Sequence, residues 1–294
     1  LDAETYLGGR RRLKETLVDE RALEVLDRLL DRGAAYRLGE RWRVDIGYVT
    51  GANAFFHLSD DDRRRLDIPD RFLARSVYRG RALRGLAFAD DDWIRSCGER
   101  NGGFVLQLTR DALPASDAAY VRDGERAGFA RRFKCRIRDP WYVLAQARVP
   151  DAFLTSMAGD RARIVVNDAR VLAANSLHVL RARDETTAAR DARDLCAGWL
   201  SCVAALSAEL EGHALGGGML KLEPSEAERT IVPRSGGDAR FLRRLDAMVR
   251  AGDVESAGAA VDARWATEFG LSNAALAAVR SAVVALRSLR KPQR

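Results

Sequence analysis

The sequence predicts an α+β fold: a twisted, mixed β-sheet assembled from about residues 41 to 233, covered by one long helix, with helical segments at both ends. Three observations predict it. Short runs of alternating polar and apolar residues recur between Trp42 and Val232, the period of half-buried strands. From Thr187 to Glu211, Leu195, Trp199, Val203, Leu206 and Leu210 recur every three or four residues, the stripe of an amphipathic helix. Past Gly237 the alternation stops and three helical periods follow. The chain of 294 residues is long enough to bury a large core, and its pattern divides into residues 1–40, a helical connector; 41–235, the sheet-bearing domain; and 236–294, a C-terminal helical segment.

In chain order, Lys14 to Arg32 reads as the first helix, with an apolar stripe of Leu17, Ala22, Leu26, Leu29 and Leu30, and with Gly33 placed to end it. Trp42, Val44, Ile46 and Tyr48 alternate with polar neighbours as a strand, and Ala54 to Leu58 reads as a second one. Between them Thr50-Gly51-Ala52-Asn53 makes a tight loop, either an ordinary hairpin turn or a loop of small and amide-bearing residues that approaches a ligand closely. Ser59 followed by Asp60-Asp61-Asp62 caps a short turn or helix. Leu86–Phe88 and Phe104–Leu108 read as strands, and 117–128 as a helix with Tyr120 and Val121 inward. From Phe133 the residues alternate again, which predicts a strand with Phe133, Cys135 and Ile137 on one face and Lys134, Arg136 and Arg138 on the other. Asp139-Pro140-Trp141-Tyr142 turns the chain into a further apolar strand. Strands are expected at Arg163–Asn167, Ser176–Leu180, Met219–Leu222 and Thr230–Val232, with Gly216-Gly217-Gly218 as a flexible hinge and Pro224–Glu228 as a helical turn. Ser235-Gly236-Gly237 is the expected linker. Three helices, 238–251, 253–268 and 272–290, complete the chain, Ser272 capping the last and the basic tail from Arg287 fraying.

The charge balance is basic, 49 Lys+Arg against 42 Asp+Glu. Arginine carries nearly all of it, because lysine occurs only as Lys14, Lys134, Lys221 and Lys291. Its flat, five-donor fork suits phosphates and guanine edges, and the excess favours a polyanionic partner over an acidic small substrate. The densest run is Arg131, Arg132, Lys134, Arg136 and Arg138, and a second row is Arg79, Arg81 and Arg84. A single-sign face is either a solvated edge that blocks aggregation or an anion-binding surface. Cys97, Cys135, Cys196 and Cys202 lack metal or redox spacing and read as reduced thiols of a cytoplasmic protein; three scattered histidines suggest no metal site. No apolar run is long enough for a membrane span.

Several chemistries leave no trace in the sequence. There is no Gly-x-Gly-x-x-Gly, no Gly-x4-Gly-Lys-Ser/Thr, no Gly-x-Ser-x-Gly and no His-Glu-x-x-His; all seven prolines are isolated. The chain therefore reads as something other than a self-sufficient enzyme.

The ordered set Gly47-Tyr48-Val49-Thr50-Gly51-Ala52-Asn53-Ala54-Phe55-Phe56, Tyr120-Val121-x-x-Gly124-Glu125, Lys134 to Tyr142, Asn175-Ser176-Leu177-His178 and Gly216 to Glu226 resembles one family. It is similar to the C-terminal target-recognition region of bacterial adenine-N6 DNA methyltransferases of restriction–modification systems, the TaqI-like specificity domain. In that family a separate Rossmann-like domain binds S-adenosylmethionine and holds a flipped adenine with an Asn/Asp-Pro-Pro-Tyr/Phe loop. Neither feature is present, and the first residue is Leu rather than Met, so the resemblance implies the specificity half alone, starting just downstream of a catalytic domain and inactive by itself.

The resemblance implies sequence readout of double-stranded DNA, with no cofactor in this chain. Arg131, Arg132, Lys134, Arg136 and Arg138 would hold phosphates, with Arg79, Arg81 and Arg84 behind them. Thr50, Asn53, Asn167, Asn175 and Ser176 would face the groove, where Asn pairs with adenine; Asn167 and Asn175 fit strand-end caps equally well. His178 and Lys221 lie in the matching motifs and join the DNA-binding set. The expected partners are duplex DNA and a catalytic methyltransferase domain or subunit. The competing expectation is a scaffold whose C-terminal helices dock a catalytic subunit without reading DNA.

Overall fold

The computed structural model describes residues 13–291 except 112, 146, 235 and 236. It is α+β, as the alternation and the helical periods require. The central sheet has four antiparallel strands in the spatial order Trp42–Ile46, His178–Ala182, Ala152–Leu154, Ile164–Val166. A second sheet orders His57–Leu58, Gly102–Leu106, Leu73–Val77 and Leu172–Ala173, the last pair parallel, which makes it mixed. Val77, Leu83, Phe88, Phe153, Val165, Val171, Leu177 and Val179 fill the space that joins the two sheets. Two small antiparallel sheets complete the fold: Ala35–Arg37 pairs with Ile231–Pro233, and Met219–Lys221 lies between His213–Leu215 and Met157–Ala158.

The helical end is built from Glu20–Asp31, Cys202–Glu211 and Asn273–Arg290, which share one apolar core including Leu26, Leu29, Val203, Leu206, Val279 and Val283. Asp19 caps the first helix and Gly33 follows it at φ +64°, the left-handed conformation glycine tolerates. Ser59 closes a capping box with Asp62, and Ser272 accepts from the Ala275 amide as predicted. Among the described residues no helix is long and apolar enough to cross a membrane.

Seven local expectations are corrected. The stretch from Thr187 to Glu211 is two helices, Ala188–Gly198 and Cys202–Glu211, because Ser201 takes an extended conformation and caps the second through the Ala204 amide. Ala54 does not begin a strand: Asn53–Phe56 is one helical turn, and only His57–Leu58 pair. Phe133–Arg136 is likewise a helical turn, not a strand. Leu86–Phe88 reaches the sheet only through an isolated bridge from Ala87 to Val166, and no strand follows Tyr142 until Ala152. Gly216–Gly218 is a fixed turn rather than a hinge: Gly217 and Gly218 both sit at φ +72°, a Cβ on Gly218 would lie 2.5 Å from Lys291, and Arg290 donates to its carbonyl. The expected fraying from Arg287 does not occur through Arg290, which is buried; residues 292–294, like Ser235 and Gly236 of the linker, lie outside the described residues.

Candidate nucleic-acid interface

Four loops meet beside the second sheet. The Tyr48 amide donates to Ala173 and its carbonyl accepts from the Asn175 amide, so the 48–53 loop and the 174–177 turn are joined by backbone. Ser176 Oγ donates to the Tyr78 carbonyl at 2.5 Å, which brings in Arg79 and Gly80. The fourth member is the turn Phe133–Arg136. Its Cys135 is fully buried with Sγ directed at the Thr50 carbonyl, 3.7 Å away. Arg138 donates to the carbonyls of Thr50 at 2.8 Å and Val49 at 2.6 Å. Gly51, at φ +77°, touches the turn so closely that a Cβ would lie 2.5 Å from Lys134 Cβ.

An aromatic floor supports this junction. Phe55, 1% exposed, stacks on Tyr120 at 4.7 Å and packs against Trp141 and Phe56. Tyr120 Oη donates to the Phe55 carbonyl, and Gly124 lets its helix, Ala115–Arg126, approach so near that a Cβ would sit 2.6 Å from the Phe55 ring. Deeper, His57 stacks on Tyr78 at 3.9 Å and meets the Tyr48 hydroxyl at 3.0 Å. Burial lowers the His57 pKa to about 4 and pushes the Tyr48 and Tyr78 phenols up, so all three are neutral at neutral pH.

The sequence-derived candidates separate into three groups. Arg79, Arg131, Arg132, Lys134 and Arg136 are exposed, and none has a carboxylate partner among the described residues. Arg132 lies over the Phe129 ring, and Lys134 and Arg136 over that of Phe133. Asn53, Asn175 and Ser176 are exposed on the same joined loops; Thr50 is buried and donates its hydroxyl to the Asn53 side-chain oxygen, so it orients that amide. Arg138 is the clamp on the Val49 and Thr50 carbonyls.

Of the remaining candidates, Asn167 and His178 are buried, whereas Arg81, Arg84 and Lys221 reach the surface with polar partners of their own. Asn167 is 3% exposed; its amide donates to the Pro150 and Val171 carbonyls, each at 2.8 Å, and accepts from the Val171 amide. All of its local capacity is used internally. His178 is buried in the central sheet, its Nε2 bonded to the Leu222 carbonyl at 2.8 Å. Lys221 pairs with Glu223 at 2.5 Å, Arg84 pairs with Glu99, and Arg81 donates to Asn101. Conversely, Phe133 and Ile137, placed with Cys135 on one face of the expected strand, part from the buried Cys135 and are 60% and 63% exposed. Their four-residue spacing was the available signal, since it fits one face of a helical turn.

A cavity of about 1340 Å³ lies elsewhere, between the helices Ala188–Gly198 and Ala239–Arg250 over Trp42, Leu86 and Val166. Arginines and carboxylates line it, with Arg193 paired to Asp168 at 2.8 Å and Arg41 to Asp191 at 3.9 Å. None of the four loops lines it.

Comparison with known proteins agrees with the resemblance drawn from the motifs. The chain is 20% identical over 190 residues to the type II methyltransferase M.AccI of Acinetobacter calcoaceticus, covering 65% of this chain and 35% of that protein. Its fold is similar to the structure of the type IIG restriction endonuclease BpuSI, with a TM-score of 0.52 at 12% identity, covering 92% of this chain and 33% of that one. The chain thus spans about a third of the length of both relatives. A family model described as the C-terminal domain of the type II methyltransferase M.Eco57I matches residues 10–265, and the chain belongs to that family, the C-terminal region of a restriction–modification methyltransferase.

Proposed function

We propose that this chain recognises double-stranded DNA as the specificity half of an adenine-N6 methyltransferase, holding the duplex for a catalytic domain or subunit that binds S-adenosylmethionine. One observation carries the reading: five cations with no carboxylate partner among the described residues, Arg79, Arg131, Arg132, Lys134 and Arg136, lie on or beside the loops that also present Asn53, Asn175 and Ser176. The cations would neutralise phosphates and set register, and the amides and hydroxyl would meet base edges. Methyl transfer itself is assigned outside the chain, because no residue pattern here matches a cofactor cradle or a Pro-Pro loop.

Duplex binding titrated against salt tests this. Five phosphate contacts predict that log K falls with log salt at a slope of roughly −4 to −5. A flat response would sink the reading. The large groove over Trp42 and Leu86 favours a second reading, a scaffold that docks a catalytic subunit without touching DNA. Co-purification of that subunit together with no DNA retention at low salt would select it.

A further inference from the structure

Phe133 and Ile137 have no role in gripping phosphates, yet they stand out from the middle of the cationic turn. Both are more than half exposed, while Cys135 between them is completely buried and Arg138 beyond them clamps the 48–53 loop. Backbone bonds from the Cys135 and Arg136 amides to the Arg132 carbonyl, both 2.9 Å, hold the turn. Gly51 presses on Lys134 from the inner side. The outer side is therefore a stiff apolar point on a fixed base. The Phe133 ring has Lys134 Nζ 5.5 Å and the Arg136 guanidinium 5.6 Å from its centre. An apolar side chain flanked by Lys134 and Arg136, neither with a carboxylate partner among the described residues, is a poor match for an ordinary apolar protein surface, where those cations would be desolvated without anions. It is a good match for a polyanion that is apolar inside, and stacked bases between phosphates have that character.

We propose that Phe133, backed by Ile137, is a wedge that enters a base step of duplex DNA while Arg131, Arg132, Lys134 and Arg136 hold the flanking phosphates. This rests on the DNA-recognition reading above. The apolar tip fills the gap left by an opened step, and the cations keep the strands from retreating. The wedge would make the step deformable where a partner enzyme needs a base extruded, because opening a stack is part of the cost of flipping.

The test uses the 294-residue chain and two duplexes that differ only in one mismatched, already weakened step, with affinity read by fluorescence anisotropy across a salt series. The parent chain is expected to prefer the mismatched duplex by about tenfold. Phe133→Ala is expected to lose that preference while keeping the salt slope, and Phe133→Leu, which retains an apolar body, to keep most of it. Arg136→Ala is expected to weaken both duplexes alike with the preference intact. A parent without mismatch preference, or a Phe133→Ala variant that retains it, overturns the wedge while a steep salt slope leaves DNA recognition standing. A flat salt response overturns both. Unchanged DNA behaviour in Phe133→Ala, with loss of binding to a catalytic domain, overturns the wedge in favour of a protein contact.

Discussion

Arginine does opposite work at the two ends of this molecule. At the helical end Arg290 is 8% exposed and every guanidinium hydrogen is used: Nε and Nη2 grip Glu209 at 2.9 and 2.8 Å, and the rest reach the carbonyls of Gly159, Asp160 and Gly218. Arg280 likewise pairs with the buried Asp262, and Arg250 with the buried Asp92. On the loop face Arg132 and Arg136 lie exposed with aromatic rings beside them, and among the described residues no carboxylate pairs with them. The lesson concerns partners rather than counts. The same side chain fixes the fold where a carboxylate meets it in a dry place and is free to bind where none does.

The contrast can be broken at several points. Glu209→Ala strands the buried Arg290 charge and is expected to cost about 3–5 kcal/mol of stability in chemical denaturation, and Arg290→Ala less, because Arg287 stays 3.4 Å from Glu209. Arg136→Ala on the loop face should stay within about 0.5 kcal/mol in the same measurement. A comparable loss in both would erase the distinction.

Acid probes the ground beneath the loops. The His57 pKa falls from 6.5 to about 4 in the folded chain because its ring is buried between Tyr48 and Tyr78. The unfolded chain then binds a proton that the folded chain refuses. Stability from this group is full above pH 6.5 and is lost as pH falls toward 4, by up to about 3 kcal/mol. His57→Gln should flatten that window, and denaturation at pH 7 and pH 4.5 compares the two chains.

Asn167→Ala should cost about 1–3 kcal/mol of stability by orphaning the Pro150 and Val171 groups, and leave DNA sequence preference unchanged. A change in preference would return Asn167 to the interface. The smallest expected effect is the sharpest for function: each of Arg131, Arg132, Lys134 and Arg136 changed to Ala should lower the salt slope by about 1 without shifting sequence preference.

Much of this was legible in the sequence, for identifiable reasons. Helix ends with chemical markers were readable: Ser59 with Asp62, Ser272 and Gly33 each act within a few residues of themselves. The central strand Trp42–Ile46 was readable because its alternation meets a core on one side, whereas Ala152–Leu154, buried throughout, carried no such period and was missed. The cationic segment was not, because six residues satisfy both periods: Phe133, Cys135 and Ile137 fit a strand, and Phe133 with Ile137 fits a helical turn. What decides it is remote, namely the seat that the Thr50 carbonyl and Gly51 make for Cys135 and Lys134. The identity of the interface followed the same rule. Asn175 and Asn167 look alike in the sequence, yet one is exposed beside Ser176 and the other is spent on backbone 17 residues away. The break at Ser201 carried its own signal, a capping hydroxyl inside an apolar stripe, which the stripe outweighed.

The clamp made by Gly51, Cys135 and Arg138 has a bearing on how such a surface changes over generations. These three positions fix where the loops sit through backbone carbonyls and close packing, while Asn53, Lys134 and Asn175 project their outer atoms away from the frame. Mutation can therefore redraw what the outer positions touch without disturbing how they are mounted. Under the proposed DNA recognition, a lineage built this way would acquire new target preferences one side chain at a time, each trial leaving the mount intact for the next.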